Sequence, residues 1–176
     1  YWISQNPQNR HIWPGLFTSR IGAAAPTLNY EPKEDLDQIA LTRQRPLSTG
    51  HVHFSMVALT QNRKGISDQL RASRYTGQAL VPATPWLGST RPGTPTIKAV
   101  RGARSVDLSL TAGKGNALYA IWARHGNEWR FAVAPAARAT WTVSDDDRLG
   151  PAEIVVVSAV DRLGNEGERV RVWSKP

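Results

Sequence analysis

The fold of the N-terminal half is decided by a short run after a turn signal, Thr49-Gly50-His51-Val52-His53-Phe54-Ser55. Its β-branched and aromatic residues predict a strand over residues 51–55. Upstream, residues 10–17 predict another strand, and residues 32–45 predict a helix with proline in its first turn and apolar residues three and four apart. Residues 65–73 predict a further helix. The order strand, helix, strand, helix is typical of parallel strands joined by crossover helices.

The C-terminal half has a different pattern. Residues 89–95 are rich in proline, glycine and hydroxyl residues, which predicts a linker between residues 1–88 and residues 96–176. Beyond it, seven short apolar runs are separated by turn signals, and several of them alternate between apolar and polar residues. The predicted strands are 96–100, 105–110, 117–124, 129–133, 140–143, 153–160 and 169–173. Many short strands of this kind predict a β-sandwich.

Length and composition restrict the possible functions. The chain has 176 residues, a net charge of +8 and no cysteine, which excludes disulfides and thiolate metal sites. The positive charge is spread over both halves and mixed with acidic residues, so we expect no nucleic-acid partner. No apolar run approaches the ~18 residues of a membrane span. A complete (β/α)8 barrel needs about 250 residues, so it cannot fit in this chain.

Several stretches resemble the glycoside hydrolase-like family ten proteins, whose fold is a glycosidase-like barrel. Residues 10–20, Arg-His-Ile-Trp-Pro-Gly-Leu-Phe-Thr-Ser-Arg, resemble the penultimate strand of that family. Residues 37–39 followed by 50–59 resemble its last helix and strand, and residues 79–82 with Trp86 resemble its closing segment. The resemblance implies that residues 1–88 are the C-terminal portion of a (β/α)8 barrel whose earlier strands are missing.

The same resemblance implies a function and a location. The parent protein is expected to be a polysaccharide-acting hydrolase that is secreted, periplasmic or anchored in the bacterial envelope. Its expected partners are a glycan substrate and the missing N-terminal barrel portion. Residues 158–167, Ser-Ala-Val-Asp-Arg-Leu-Gly-Asn-Glu-Gly, are similar to the penultimate strand and following turn of a fibronectin type III-like sandwich. We therefore expect strand–helix units of a barrel followed by such a sandwich.

Candidate site residues come from the predicted strand ends. Glycosidases normally use two carboxylates, which barrel enzymes place at the C-terminal ends of strands. Neither predicted strand ends in Asp or Glu, so we assign no catalytic residue and expect the isolated chain to be inactive. Arg20 is the best candidate for substrate contact, with a structural salt bridge as the alternative. Thr18 and Ser55 also lie at strand ends.

Two tryptophans and two histidines have competing interpretations. Trp13 and Trp86 are candidate sugar platforms, although Trp13 within a strand is more typical of a core, and Trp86 of a tail packed against the barrel. His51 and His53 share one strand face, but no third ligand is evident. We therefore expect no metal and no cofactor, and interpret the histidines as hydrogen-bonded in the barrel interior.

The sandwich is expected to be either a spacer or a non-catalytic carbohydrate-binding module. Trp122 is the expected core tryptophan, but it follows Ile121, and neighbours on a regular strand face opposite ways. An inward Trp122 favours the spacer, which we expect. An outward Trp122 beside Trp129 forms an aromatic strip and favours glycan binding. The predicted core is Val106, Leu108, Leu110, Ile121, Val155, Val157 and Val170.

Overall fold

The computed structural model describes residues 1–24 and 29–175. The chain forms two compact units, Tyr1–Thr76 and Gly77–Pro176. In the first unit, two short parallel strands alternate with helices, and 3-10 turns cover Thr18–Arg20 and Arg63–Gly65. The regular elements are β1 (Gly15–Leu16), α1 (Pro32–Arg43), β2 (Val52–His53), α2 (Met56–Thr60) and α3 (Ile66–Ser73).

The predicted elements of this unit are present but shorter than expected. The two strands pair over two residues only, Gly15 with Val52 and Leu16 with His53. Within the described residues, each of these strands pairs with only one other strand. The residues that flank each strand therefore lack a second strand with which to form β-sheet hydrogen bonds. Helix α1 begins at Pro32, whose missing N–H is tolerated in a first turn. Helix α2 was not predicted, because it is too short to show a helical period.

The helices cover one face of the strand pair and leave the other bare. Leu16 packs with Ile21 and with apolar residues of α1 and α3. His53 lies opposite Leu16 in register and shares its face. Alternation places Val52 and Phe54 on the other face, where they are 51% and 60% exposed.

The second unit is a β-sandwich, as the sequence predicts. All of its strand pairs are antiparallel. Its strands are β3 (Thr96–Arg101), β4 (Ser105–Thr111), β5 (Leu118–His125), β6 (Glu128–Pro135), β7 (Thr140–Ser144), β8 (Ala152–Val160) and β9 (Val170–Ser174). They form a three-stranded sheet in the order β3-β4-β7 and a four-stranded sheet in the order β6-β5-β8-β9. Side chains from both sheets share one apolar core.

Six of the seven predicted core residues are buried, namely Val106, Leu108, Leu110, Ile121, Val155 and Val157. Val170 is only half-buried, whereas Val172 and Trp173, beside a register shift in the β8–β9 pair, pack against the core. The expectation of a core Trp122 was wrong. Ile121 points inward, so Trp122 faces outward, and the fully buried Tyr119 is the large aromatic of the core.

Residues 77–88 are held to the sandwich by hydrogen bonds. The Thr84 amide donates to the Leu163 carbonyl at 2.8 Å, and the Asn165 side chain donates to the Gly88 carbonyl at 2.8 Å. The backbone amide of Val133, on edge strand β6, donates to the Gln78 side chain at 2.6 Å. The units therefore divide before this segment, and residues 89–95 lie inside the second unit.

Candidate functional site at the strand ends

The C-terminal ends of β1 and β2 lie side by side, because the strands are parallel and in register. The Phe54 amide donates to the Leu16 carbonyl at 2.8 Å, and the Ser19 amide donates to the Phe54 carbonyl at 3.0 Å. The 3-10 turn after β1 is thereby tied to the end of β2. Parallel α/β folds place their ligand sites at this end of the strands.

Arg20 forms a cluster with three aromatic residues at this end, which we call the strand-end cluster. Its guanidinium lies 4.4 Å from the ring centre of Phe17 and 5.6 Å from that of Tyr30. Phe17 and Phe54 have ring centres 5.1 Å apart. Among the described residues, no carboxylate lies within ion-pair distance of Arg20, so the strand-end cluster offers a cation set against aromatic rings.

The other predicted strand-end residues differ in accessibility. Ser55 is exposed and immediately precedes α2. Thr18 is fully buried, and its hydroxyl faces α1 rather than solvent. Of the predicted set, the structure therefore brings Arg20 and Ser55 to an accessible surface at one end of the strands.

The two candidate sugar platforms lie elsewhere. Trp13 precedes β1, and its indole Nε1 donates to Thr49 Oγ1 at 2.9 Å, which places it at the opposite end of the strands. It is 52% exposed and thus not a core residue. Trp86 belongs to the second unit and is 37% exposed. Neither tryptophan is part of the strand-end cluster.

Behind the strand end, a network of hydrogen bonds joins residues of β2 and α1 to Tyr75, which follows α3. The Thr18 hydroxyl lies 2.5 Å from Asp35 Oδ2 and 2.7 Å from His53 Nδ1. The Tyr75 hydroxyl lies 2.7 Å from His53 Nε2 and 2.5 Å from His51 Nε2. We call these five residues the Asp35–Tyr75 network. The histidines are hydrogen-bonded as predicted, and they lie on the face of the strand pair that the helices cover, not on its bare face.

The direction of each hydrogen bond follows from the groups present. The Asp35 carboxylate only accepts, so Thr18 donates to it, and Thr18 in turn accepts from His53 Nδ1–H. In the tautomer that carries its only ring proton on Nδ1, His53 accepts at Nε2 from the Tyr75 hydroxyl, and the Tyr75 oxygen then accepts from His51 Nε2–H. With these tautomers the network is a single directed chain of donors that ends on the fully buried Asp35 carboxylate.

Burial controls the protonation of the outer members of the network. Burial lowers the pKa of His51, and the nearby His53 and Arg43 lower it further, while Asp35 opposes them. Burial also raises the pKa of the Tyr75 phenol. Both groups therefore favour their neutral forms. Among the described residues, no group of three or more His, Cys, Asp or Glu side chains is placed to hold a metal ion.

Sequence reasoning missed Asp35 and Tyr75. Asp35 lies in the first turn of α1, where an acidic residue is expected to complement the helix dipole. The missed signal is its spacing, because Asp35 and the buried Ile39 are four residues apart and share a helical face. A carboxylate on the buried face of a helix indicates a buried polar contact. No local pattern marks Tyr75, whose role depends on how the chain returns after α3.

Comparison with known proteins supports a relationship to glycoside hydrolases. No family model matches the chain. Its sequence is 32% identical over 187 residues to the protein named glycosyl hydrolase YngK of Bacillus subtilis (strain 168), and the match covers 99% of this chain and 36% of that protein. The chain thus spans about a third of the length of this curated relative, and both units lie within the matched region.

Several solved structures with fibronectin type III-like domains are similar to part of the chain. FN3tt gives a TM-score of 0.35 at 19% identity, covering 47% of this chain and 90% of that one. A Fn3-like protein from Clostridium thermocellum gives 0.35 at 20% identity, with coverages of 46% and 86%. A domain of human collagen XX gives 0.37 at 22% identity, with coverages of 53% and 98%. The β-sandwich itself is established by the strand pairing.

Proposed function

We propose that the chain is the C-terminal part of a polysaccharide-acting glycoside hydrolase of the bacterial envelope, of the family ten type. In this proposal the first unit supplies the last two strand–helix units of a (β/α)8 barrel, and the second unit is a fibronectin type III-like accessory domain. The observation that carries the proposal is the match of nearly the whole chain to a protein named as a glycosyl hydrolase.

The bare face of the strand pair supports the barrel assignment. Parallel strands are normally buried on both faces, with helices on one side in a barrel and packed side chains on the other. Here the helices cover the face of Leu16 and His53, while Val52 and Phe54 are exposed. Both edges of the pair are also open among the described residues. Further barrel strands would cover the bare face and pair with the edges.

The strand-end cluster indicates what this part contributes to chemistry. It contains a half-buried guanidinium and no carboxylate, so the catalytic acid and base are assigned to other strands of the barrel. Arg20 is positioned to hydrogen-bond sugar hydroxyls or to hold a catalytic carboxylate. Thr18, anchored on Asp35, fixes the turn that carries Arg20 two residues later.

A hybrid protein tests the proposal. The matched C-terminal region of the Bacillus subtilis relative is replaced by this chain, and hydrolysis of a panel of soluble polysaccharides is measured by reducing-end release. We expect the hybrid to fold and to cleave the same polysaccharide as the relative, while this chain alone cleaves none. A second hybrid that exchanges only residues 1–76 separates a failure of the barrel from a failure of the sandwich. Folded hybrids without hydrolysis, or hydrolysis by the isolated chain, would contradict the proposal.

A further inference from the structure

The outer face of the four-stranded sheet carries aromatic and arginine side chains in two adjacent rows. Trp122 lies opposite Phe131, and Arg124 lies opposite Trp129, so these four side chains share one face. Ile121 directly precedes Trp122 on the strand and is buried in the core, which places Trp122 on the outer face. The first row continues across the sheet from Trp122 to Val156 and Arg171.

Two aromatic side chains of this face, Trp122 and Phe131, are held in place. Trp122 and Phe131 have ring centres 5.1 Å apart, and the Arg169 guanidinium lies 4.3 Å from the centre of the Trp122 ring. Arg169 is fixed by Glu166, whose carboxylate accepts two hydrogen bonds from it at 2.6 and 3.0 Å. Trp129 is 50% exposed, and no described ring or cation lies against it. The supported rings of Trp122 and Phe131 therefore lie next to the exposed indole of Trp129.

The charges of the face are cationic and partly compensated. Arg124 pairs with Glu153 at 3.0 Å, and Arg169 pairs with Glu166. Arg171 is exposed, and the described residues give it no carboxylate partner. Arg171 lies at the opposite end of the first row from Phe131. The two residues are three strand spacings apart, or about 14 Å. The face thus combines an open indole at one side with an unpaired guanidinium at the other.

We infer that this face binds a chain of an anionic polysaccharide, with one sugar ring on Trp129 and Phe131 and a carboxylate on Arg171. The apolar face of a pyranose matches a rigid indole, which binds it with little loss of conformational entropy. Guanidinium groups suit sugar carboxylates because they donate two parallel hydrogen bonds. A nucleic acid fits less well, because it needs a groove lined by several uncompensated cations.

This inference goes beyond the proposed hydrolysis, and either can fail without the other. The outward Trp122 beside Trp129 is the arrangement that favours glycan binding by the sandwich over a spacer role. Arg171 adds the preference for acidic sugars, which no sequence pattern indicates. A second copy of the chain or a nucleic acid on the same face are the competing occupants.

Titration of the full 176-residue chain with polygalacturonate oligomers, neutral dextran oligomers and (dT)10 tests the inference. The readout is tryptophan fluorescence, checked by calorimetry. We expect the polygalacturonate oligomers to bind most tightly, Trp129→Ala to weaken them at least tenfold, and Trp129→Phe to restore part of the affinity. Arg171→Ala should weaken the acidic oligomers several-fold and leave any dextran binding unchanged.

Two matched controls complete the design. Trp2→Ala removes an exposed tryptophan of the first unit, and Arg162→Ala removes an exposed arginine after β8. Both should stay within twofold of wild type, and circular dichroism should show every variant folded. Absence of polygalacturonate binding at millimolar concentration, tighter binding of (dT)10, or a loss in Trp2→Ala equal to that in Trp129→Ala overturns the inference. A wild-type dimer that Trp129→Ala converts to a monomer also overturns it.

Discussion

The hydroxyl of Thr18 donates to the fully buried carboxylate of Asp35 over 2.5 Å. This contact joins the turn after β1 to the first turn of α1. A buried carboxylate is costly unless it is hydrogen-bonded, so the contact fixes where the turn can lie. The position of Arg20, two residues after Thr18, depends on that turn.

Replacing Thr18 by Val is expected to destabilise the first unit. The substitution keeps the shape but removes the donor to Asp35 and the acceptor for His53. Leaving a buried carboxylate without this partner should lower the free energy of unfolding by about 1–3 kcal/mol. Thr60→Val is the control, since Thr60 is exposed on α2. Urea unfolding followed by circular dichroism measures both, and equal effects of the two variants would refute the network.

The pH dependence of stability should report on His51. Its pKa is lowered in the folded chain by burial, His53 and Arg43, from an ordinary value of 6.5. Below pH 6.5, His51 therefore binds a proton more readily in the unfolded chain than in the folded chain. The free energy of unfolding consequently falls as the pH drops. His51→Asn should flatten this dependence below pH 6.5. If the variant and the wild type keep the same slope, His51 is not the group responsible.

Most of the sandwich could be predicted from sequence, whereas the network could not. Apolar and polar residues alternate along the strands of the sandwich. The local sequence is therefore enough to predict that Leu108 and Val157 point inward, and both are buried. Trp122 was misplaced because a large aromatic was favoured for the core, while alternation from Ile121 gives the correct face. The Asp35–Tyr75 network joins residues 35, 53 and 75, and no local pattern reports contacts over such separations.

The apolar core of the sandwich makes a direct prediction. Leu108 is 1% exposed, and it packs between the two sheets. Leu108→Ala should lower the free energy of unfolding of the second unit by about 2–5 kcal/mol, because it removes buried methyl groups and leaves a cavity. Val100→Ala, at a position that is 65% exposed, should change it by no more than about 0.5 kcal/mol. Thermal unfolding of both variants provides the comparison, and a small effect of Leu108→Ala would place the core elsewhere.

Arg20 should matter for hydrolysis more than for stability. In the hybrid enzyme, Arg20→Ala is expected to lower kcat/KM about 10- to 100-fold, as expected for the loss of charged hydrogen bonds. Arg20→Lys keeps the charge but not the planar, two-pronged donor, so it should restore only part of the activity. Arg63→Ala removes a nearby arginine whose side chain donates to Gln61 Oε1 and to the Ser19 carbonyl, and it serves as the control. Equal losses in Arg20→Ala and Arg63→Ala would indicate a general effect on folding.

The most direct measurement for the barrel assignment is amide hydrogen exchange at β2. The amides of Val52 and Phe54 donate to carbonyls before and within β1, at 3.0 and 2.8 Å, so the intervening His53 amide points toward the open edge of the pair. We expect fast exchange of the His53 amide in the isolated chain, and exchange slowed at least 100-fold in the hybrid enzyme, where a carbonyl of the neighbouring strand accepts a hydrogen bond from this amide. An unchanged, fast exchange at His53 in a folded hybrid would contradict the claim that these strands complete a barrel.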